Sequence, residues 1–508
     1  MKKRKGGDFM EKMYKSTRGK QKRIDVYDAL LQGIASDGGL LVPDFAIEKL
    51  DLKALSSLSY PDLASTIIKQ FVDERGYVGV EKACQEAYQE ANLFSTKEVV
   101  KVVKAGEVYV GELFNGPTAA FKDMALTLLP RLMSLALQIK EEKRTVLVLA
   151  ATSGDTGKAA LEGFKDVEGT KIKVFYPSVG VSAIQKQQMV TQTGSNVEVV
   201  AIDGNFDDAQ SAVKKAFNDD VLKQCCKDHS VFLSSANSIN VGRLLPQIVY
   251  YFYSYFSLVK QNEIKLGDEV DFCVPSGNFG NALAGFLAKQ MGCPIHKILC
   301  SSNSNHILTD FFNTGVYDAN REFYKTSAPA MDILVSSNLE RLVYYLSNQD
   351  EKFVAEAMQK LNTTKKYEVS KEIFSKMQEE FVAGYANEQQ IQQAIKEMYE
   401  TNHYLLDTHT ATGYHFIKEY RKTQKEIYPT ILLATASPYK FPESVYHALT
   451  NQQIPEYDAL KALKEMTLVD LPKPLIGLEN KEVLFKQTIP KEAILDFVKE
   501  RIAGGDVK

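Results

Sequence analysis

The segment ATSGDTGKAA at 151–160 gathers hydroxyl side chains and glycines where a strand-like run ends and a helix-like run begins. Free backbone N–H groups at a helix start can hold an anion, and small residues let it come close. The spacing fails the GxxxxGK[ST] pattern of nucleotide-binding loops, because Gly154 lies too near Gly157 and an alanine follows the lysine. The segment therefore predicts an anion site that is not an ATPase site. A plain helix cap by Ser153 or Asp155 is the alternative.

A second loop of this kind is SGNFGN at 276–281, which follows the strand-like run DEVDFCVP at 268–275. Its small residues allow close approach to a ligand, and the helix that follows directs its N-terminus at it. No side chain in the loop is titratable, so it can hold a phosphate group but cannot perform acid–base chemistry. A purely structural turn remains the other interpretation.

Lys122 is the candidate nucleophile. It stands at a predicted helix start in FNGPTAAFKDMALTLLP at 114–130, among apolar neighbours. The helix dipole and desolvation both lower the pKa of a lysine placed there. Such an amine can form a Schiff base with a carbonyl. The alternative is a solvated lysine beside Asp123.

Two C-terminal loops are also rich in polar residues. DTHTATG at 407–413 precedes a predicted helix, and LATASPYKFPES at 433–444 follows the strand-like run TILLA. A strand that runs out into Thr-Ala-Ser-Pro is typical of the rim of a site, because ligands of open α/β sheets bind where strands end.

The elements that must position these loops alternate between strand and helix patterns. Strand-like runs occur at 145–151, 171–177, 196–202 and 268–275, each followed by a helix-like segment. This rhythm predicts an α/β fold with parallel sheets covered by helices on both faces. Apolar residues at helical spacing between 351 and 400, such as the series Ile373, Met377 and Phe381, predict an all-helical insertion.

Composition excludes several classes of protein. The 508 residues carry a net charge of −3, which argues against a nucleic-acid binder. The longest apolar run, IVYYFYSYFSLV at 248–259, is shorter than the roughly 20 residues a membrane helix needs. The start MKKRKGGDF lacks the apolar core of a signal peptide. Six cysteines without CxxC pairs indicate a reduced, cytoplasmic protein, and the seven histidines show no metal-ligand spacing.

Taken together, these segments resemble the threonine synthase family of pyridoxal-phosphate enzymes. The resemblance spans nearly the whole chain, and the long form, with an N-terminal domain and a helical insertion, is similar to the bacterial and fungal branch. The matching motifs are STRG at 16–19, ASDGGLLVP at 35–43, GPTAAFKDMA at 116–125, ATSGDTGKAA at 151–160, NSINVGRLLPQ at 237–247, VPSGNFGN at 274–281, DTHTATG at 407–413 and TASPYKFPES at 435–444.

The resemblance implies fold type II, with two open twisted α/β domains and pyridoxal 5′-phosphate in the cleft between them. A helical N-terminal region and a helical insertion are added to these domains. The expected organisation is a tail or alternative start at 1–12, an N-terminal mostly helical domain at 13–98, a large cofactor-binding domain at 99–144 and 245–508 with the insertion at about 340–402, and a small α/β domain at 145–244.

The resemblance also implies roles for individual residues. Lys122 is expected to form the Schiff base with the cofactor, and Thr435 to hydrogen-bond the pyridine nitrogen. The cofactor phosphate is expected in the loop Gly277, Asn278, Phe279, Gly280 and Asn281. The substrate carboxylate and phosphate are expected at Ser153, Gly154, Asp155, Thr156, Asn240 and Arg243. Ser437 and Thr408 depart from the family pattern, which often has His and Pro there.

The implied reaction converts O-phospho-L-homoserine and water to L-threonine and phosphate, by γ-elimination followed by β-addition. The implied partners are this small-molecule substrate alone, without nucleic acid, membrane or metal, in a monomer or homodimer. Two alternatives remain open at this point. One is a serine/threonine dehydratase-like lyase, which needs no phosphate-binding arginine beyond the cofactor site, and the other is a non-enzymatic relative, which has no need of Lys122.

Overall fold

The computed structural model describes residues 11–88, 93–96 and 98–504. The predicted tail at 1–12 lies outside these ranges, apart from its last two residues. Of the helices within them, none combines the length and the apolar character that a bilayer crossing requires.

The N-terminal region combines short strands with helices. Its elements are β1 (Met13–Ser16), β2 (Ile24–Asp25), α1 (Val26–Gln32), β3 (Leu41–Pro43), α2 (Leu52–Leu55), α3 (Tyr60–Lys69) and α4 (Tyr77–Tyr88). β1 pairs antiparallel with both β2 and β3. Asp25 and Ser59 cap α1 and α3 by accepting bonds from backbone N–H groups of the first turn. Both helices bury their apolar faces in the main hydrophobic core.

The chain then builds one edge of a large sheet and continues into a smaller one. The elements up to residue 234 are β4 (Lys101–Ala105), β5 (Val108–Glu112), α5 (Asp123–Leu126), α6 (Leu129–Ile139), β6 (Thr145–Ala151), α7 (Asp155–Phe164), β7 (Thr170–Pro177), α8 (Ala183–Val190), β8 (Val197–Asp203), α9 (Phe206–Asn218), α10 (Asp220–Asp228) and β9 (Val231–Ser234).

The C-terminal half returns to the large sheet. Its elements are α11 (Val241–Lys260), β10 (Val270–Pro275), α12 (Gly280–Gln290), β11 (Ile295–Ser302), α13 (Ile307–Thr314), β12 (Val316–Asp318), α14 (Leu339–Leu346), α15 (Glu351–Thr364), β13 (Lys366–Glu368), α16 (Lys371–Glu380), β14 (Phe381–Tyr385), α17 (Glu388–Asn402), α18 (Thr408–Arg421), β15 (Thr430–Ala434), α19 (Pro442–Thr450), α20 (Glu456–Thr467), β16 (Thr488–Pro490) and α21 (Ile494–Ala503).

The large sheet has the strand order β14-β11-β10-β15-β5-β4. All its pairs are parallel except the hairpin of β4 and β5. Side chains alternate between two apolar layers: Phe272 and Val274 of β10 join one core cluster, whereas Cys273 between them joins the other. Helices therefore cover both faces, and the predicted α/β class is confirmed.

The prediction of an all-helical insertion is wrong at two places, because β13 within it pairs antiparallel with β12 and a second strand follows α16. α16 ends at Glu380, and Phe381 has an extended backbone with φ −124. Residues Phe381–Tyr385 form β14, which pairs with β11 as the edge strand of the large sheet. Phe381 shares the helical spacing of Ile373 and Met377, but the run FVAGY has the β-branched and aromatic residues that favour a strand beside an open sheet edge.

The smaller sheet has the order β16-β8-β7-β6-β9, and its pairs are all parallel. The assignment of residues 245–508 to the large domain is therefore wrong at its C-terminal end. β16 pairs with β8 in the small sheet, and Phe497 of α21 packs edge-on against Phe175 of β7. A three-residue strand is too short for periodicity to reveal, so only its long-range pairing shows where it belongs.

Candidate active site

Lys122 lies at the start of α5, in the connection that leaves β5. Its side chain is buried, and its backbone carbonyl accepts a bond from Leu126 N–H at 2.9 Å. The Asp123 carboxylate closes the preceding loop by accepting bonds from Thr118 N–H at 2.8 Å and Thr118 Oγ1–H at 2.6 Å. A Cβ on Gly116 would lie 2.5 Å from Asp123, so this close turn requires glycine. The turn fixes where Lys122 stands.

The Lys122 loop is hydrogen-bonded to the segment that follows β15. Phe121 N–H donates to Thr435 O at 2.8 Å, and Ser437 N–H donates to Ala119 O at 3.1 Å. Thr435 N–H donates to Thr410 Oγ1 at 3.2 Å, while its own hydroxyl makes no hydrogen bond to a described residue. The structure thus places the two predicted cofactor residues, Lys122 and Thr435, on adjoining segments and leaves the Thr435 hydroxyl free for a ligand.

Four charged side chains influence the Lys122 amine, and Asp123 is the weakest of them. Burial is the main cause that lowers the pKa of Lys122, Asp155 opposes this, and Arg243 and Lys440 lower it further. Lys122 Nζ stands 3.8 Å from Asp155 Oδ2 and 4.8 Å from the centre of the Phe121 ring. A buried lysine with a lowered pKa has a larger fraction of free base, which is the reactive form.

The loop 276–279 between β10 and α12 has the geometry of an anion cradle. Its carbonyls are turned outward, since Gly277 O accepts from Ser336 Oγ at 2.7 Å and Asn278 O accepts from Asn338 N–H at 3.0 Å. The N–H groups of residues 277–280 have no acceptor among the described residues. Phe279 has the left-handed φ of 64, and its ring is buried against Phe312 at 5.6 Å. The backbone N–H groups are therefore the part of this loop that fits a phosphate.

Asn281, predicted to hold the cofactor phosphate, also has a structural role in anchoring the helix that follows the loop. Its Oδ1 accepts bonds from Tyr250 at 2.6 Å and Tyr251 at 2.8 Å, which anchors the first turn of α12. Its Nδ2 is buried without a partner in the described structure. A buried donor without a partner beside free N–H groups suits an anionic acceptor, so this site fits the phosphate group of pyridoxal 5′-phosphate.

The loop between β6 and α7 is held by Thr152. Thr152 Oγ1 accepts from Gly154 N–H at 3.0 Å and Gly157 N–H at 2.9 Å. The N–H groups of residues 153, 155 and 156 remain without acceptors in the described ranges, and Ser153 is exposed. This end of α7 can take an anionic group through its backbone, as the sequence predicts.

The Asp155 side chain does not serve as a donor to an anionic substrate. Its Oδ1 accepts from Lys440 Nζ at 3.0 Å and from Gln185 Nε2 at 2.8 Å. Burial would raise the pKa of Asp155, but Lys440 and Lys122 bring it far below its usual value. Asp155 is thus a carboxylate that binds lysines of its own chain, and only its N–H group can contribute to binding an anion.

Asn240 is a structural cap in this chain. Its Oδ1 accepts from Gly242 N–H at 2.9 Å, and its Nδ2 donates to Leu30 O and Ser235 O, both at 3.1 Å. These bonds use the amide to begin α11 and to tie it to the N-terminal region. The prediction that the Asn240 side chain binds substrate is therefore wrong.

Arg243 has the properties that a phosphate fork requires. It is 5% exposed, its Nη1 donates to Ala236 O at 3.0 Å, and its Nε has no partner in the described structure. No carboxylate of the described ranges forms an ion pair with it. Burial lowers the pKa of Arg243 to about 10. A buried cation without a counter-ion is costly, so the position of Arg243 suits an anionic ligand.

Several residues of the site were not among the sequence predictions. Lys440 is completely buried, although its motif TASPYKFPES indicated only a rim. His409 Nδ1 lies 3.1 Å from Asp407 Oδ1, and its Nε2 accepts from Ala330 N–H at 3.0 Å. This bond holds the segment that covers Gly277, where a Cβ would meet Ala330 O at 2.7 Å.

The two positions that depart from the family pattern make local contacts. Thr408 Oγ1 donates to Ser327 O at 2.7 Å, and Ser437 Oγ accepts from Tyr439 N–H at 3.3 Å. Both hydroxyls therefore stabilise loops at the edge of the site. Lys158, the lysine of the 151–160 segment, is paired with Glu162 at 2.8 Å and bonded to Gln192.

Three family models match successive parts of the chain. They are "Threonine synthase N terminus" at residues 13–88, "Pyridoxal-phosphate dependent enzyme" at 86–434 and "Threonine synthase, C-terminal" at 410–493. A threonine synthase of Saccharomyces cerevisiae is 36% identical over 94% of this chain and 98% of its own length. This chain belongs to the threonine synthase family.

Structural similarity agrees with this membership. The crystal structure of a PLP-bound threonine synthase from Brucella melitensis has a TM-score of 0.84 and 34% identity, covering 96% of this chain and 99% of the other. Human "Threonine synthase-like 1" is 36% identical over 87% of this chain, which covers 62% of the length of that relative. Pyridoxal 5′-phosphate is the cofactor of this chain, and the Lys122 turn and the loop 276–279 fit it.

Proposed function

We propose that this chain is a threonine synthase, which converts O-phospho-L-homoserine and water to L-threonine and phosphate. The observation that carries the proposal is the buried Arg243, which forms no ion pair with a carboxylate of the described residues and contributes to lowering the pKa of Lys122. A site with one anion cradle for the cofactor phosphate and a second fixed cation suits a substrate that carries its own phosphate. An enzyme of unphosphorylated amino acids has no use for this second cation.

The residues divide the chemical work as follows. Lys122 Nζ would hold the cofactor, and as a free amine it would take the proton from the substrate Cα. When bound, pyridoxal 5′-phosphate supplies an electron sink beside that carbon. The Thr435 hydroxyl would form a neutral hydrogen bond with the pyridine nitrogen, and the N–H groups of residues 277–280 would hold the phosphate of the cofactor.

Loss of the substrate phosphate requires stabilisation of a dianionic leaving group. Arg243 supplies a rigid positive fork, and the free N–H groups at the start of α7 bind the substrate carboxylate. The site lies between the two sheets, so closure of the small domain on the large one would exclude water until elimination is complete.

Location and assembly belong to the same proposal. The six cysteines are all free, and five of them are buried. A reducing, cytoplasmic compartment suits such a chain. We expect a small-molecule substrate as the partner and an assembly no larger than a homodimer, which sedimentation velocity would measure.

The decisive experiment is an assay of the purified holoenzyme with O-phospho-L-homoserine. We expect equimolar release of phosphate and L-threonine. Release of phosphate without threonine, or deamination of serine or threonine at a higher kcat/KM, would contradict the proposal and favour a dehydratase-like lyase.

A further inference from the structure

Lys440 is a buried cation that the proposed mechanism has not used. It ends the 3₁₀ turn Pro438–Lys440 and has 0% exposure. Its Nζ contacts two polar groups of the small domain, Asp155 Oδ1 at 3.0 Å and Gln188 Oε1. A lysine is buried this completely only where a partner compensates its charge. The turn therefore holds the Lys440 amino group against the Asp155 carboxylate.

The two oxygens of Asp155 have different partners. Oδ1 accepts from Lys440 at 3.0 Å and from Gln185 at 2.8 Å. Oδ2 faces Lys122 at 3.8 Å, beyond ordinary hydrogen-bond distance. The ion pair between Asp155 and Lys440 is thus the closer one. The pair between Asp155 and Lys122 is longer, so its loss when Lys122 becomes uncharged costs less.

We propose that Lys440 is a positioning residue for Lys122, because its contact with Asp155 pairs that carboxylate and so lets Lys122 lose its charge without leaving a buried carboxylate unpaired. The inference rests on the proposed role of Lys122 as the lysine that holds the cofactor. A lysine nitrogen forms a bond to a carbonyl carbon only after its ammonium has lost a proton to solvent. Without Lys440, Asp155 would keep Lys122 as its remaining cation and hold it in the charged form.

The other charged groups around Lys122 do not replace Lys440. Arg243 adds positive potential from α11, and Asp123, the neighbour of Lys122, is engaged by Thr118. Lys158 lies on the same helix as Asp155 but is paired with Glu162. Lys440 is the lysine whose ammonium contacts the Asp155 carboxylate directly.

The test measures the charge of Lys122 in the full-length protein freed of cofactor. Trace acetic anhydride acylates uncharged amines, and peptide mass spectrometry resolves Lys122 from other lysines across a pH series. In Lys440→Met, we expect the midpoint of Lys122 labelling to rise by about one to two pH units. The labelling rate at neutral pH would fall at least about tenfold in consequence. The labelling measures the charge of Lys122 whether or not this lysine binds the cofactor. An unchanged midpoint would therefore contradict the role of Lys440 without bearing on the proposed function.

Two variants provide the controls. Lys440→Arg keeps the positive charge and should restore most of the normal midpoint. Lys158→Met removes another buried lysine of the same region and should leave the Lys122 midpoint unchanged. A folded Lys440→Met protein with an unchanged midpoint would overturn the proposal, as would an equal shift in Lys158→Met.

A third comparison applies if Lys440→Met does not fold. The double variant Asp155→Asn with Lys440→Met removes both buried charges and should fold. Its Lys122 midpoint should lie within less than about one pH unit of that of Asp155→Asn alone, because only the direct repulsion between the two lysines remains once Asp155 is uncharged. A double variant that also fails to fold, or whose midpoint differs from that of Asp155→Asn by about one pH unit or more, would contradict the proposal.

Discussion

In the proposed function, Arg243 is the residue that distinguishes a threonine synthase from a dehydratase-like lyase. Its guanidinium is buried, bonded to a single backbone carbonyl and without a counter-ion in the described part of the chain. A surface arginine in an exposed ion pair would contribute at most about 1 kcal/mol and would not bear on substrate choice. The positive charge of Arg243 lies in the interior of the protein, where it can interact with a ligand.

Replacing Arg243 with alanine should reduce kcat/KM for O-phospho-L-homoserine by a transition-state loss of about 2–4 kcal/mol. Steady-state kinetics would measure it, with elimination from unphosphorylated serine or threonine as the internal control. That slow side reaction should change far less. Equal losses on both substrates would assign Arg243 to folding or domain closure.

Thr435→Ala should lower kcat while leaving the cofactor attached. The lost hydrogen bond contributes about 0.5–1.5 kcal/mol to cofactor binding, and the larger effect falls on turnover because the pyridine nitrogen loses its partner. Thr435→Ser retains the hydroxyl and is the matched control. Normal turnover in the alanine variant would show that another group faces the ring nitrogen.

Borohydride reduction of the holoenzyme should fix the cofactor to Lys122. The purified protein should be yellow before reduction, and peptide mass spectrometry would locate the label. Lys158 is the informative comparison, since it is equally buried but held by Glu162 and Gln192. A label on Lys158 would overturn the site assignment.

At the scale of the element, the connection between β10 and α12 is shaped by a close approach of two backbones. Gly277 meets the segment 328–332, which His409 holds through the N–H of Ala330. Gly280 has ordinary space around it, since its nearest neighbour would lie 3.5 Å from a Cβ. Of these two glycines, Gly277 is therefore the one whose lack of a side chain is required by a close contact with another segment.

Gly277→Ala should destabilise the protein by about 1–3 kcal/mol, because its Cβ would lie 2.7 Å from Ala330 O. The shift of segment 328–332 should also weaken cofactor binding. Urea unfolding of the cofactor-free protein and cofactor titration would measure the two effects. Gly280→Ala is the matched control and should cost much less stability; equal costs would show that the contact with Ala330 is not the cause.

At the scale of the whole molecule, the C-terminal segment of the chain completes the small domain, although most of that domain is formed by residues 145–234. β16 adds the edge strand beside β8, and α21 covers the apolar side of β7 with Phe497. The small domain that carries Asp155 is therefore complete only when the end of the chain has returned to it.

Phe497→Ala should lower the free energy of unfolding by about 3–5 kcal/mol, the usual cost of removing a buried aromatic ring. Urea unfolding would measure it, with Leu484→Ala as the control, because Leu484 is 48% exposed. A loss no larger than that of the control would show that α21 is not part of the small-domain core.

The motifs that sequence alone reveals are local in the chain. Lys122 at a helix start, the loop 276–281 and the loop 151–160 each combine residue type with a neighbouring strand or helix, and periodicity shows such neighbours. Net charge and cysteine spacing likewise exclude classes of protein without any structure. The α/β class and the family resemblance were therefore accessible from the sequence, and both are confirmed.

The partners of buried charges were decided by tertiary structure. Lys440 and Asp155 are distant in the chain, and only the apposition of the two domains makes them an ion pair. The sequence motif predicts Asn240 as a substrate ligand, but in the folded chain its amide donates to the Leu30 carbonyl of the N-terminal region. The places of β14 and β16 were decided in the same way, because a short strand gains its hydrogen bonds from a sheet edge formed elsewhere in the chain. Burial and hydrogen bonding depend on contacts between remote residues, which residue spacing along the sequence does not contain.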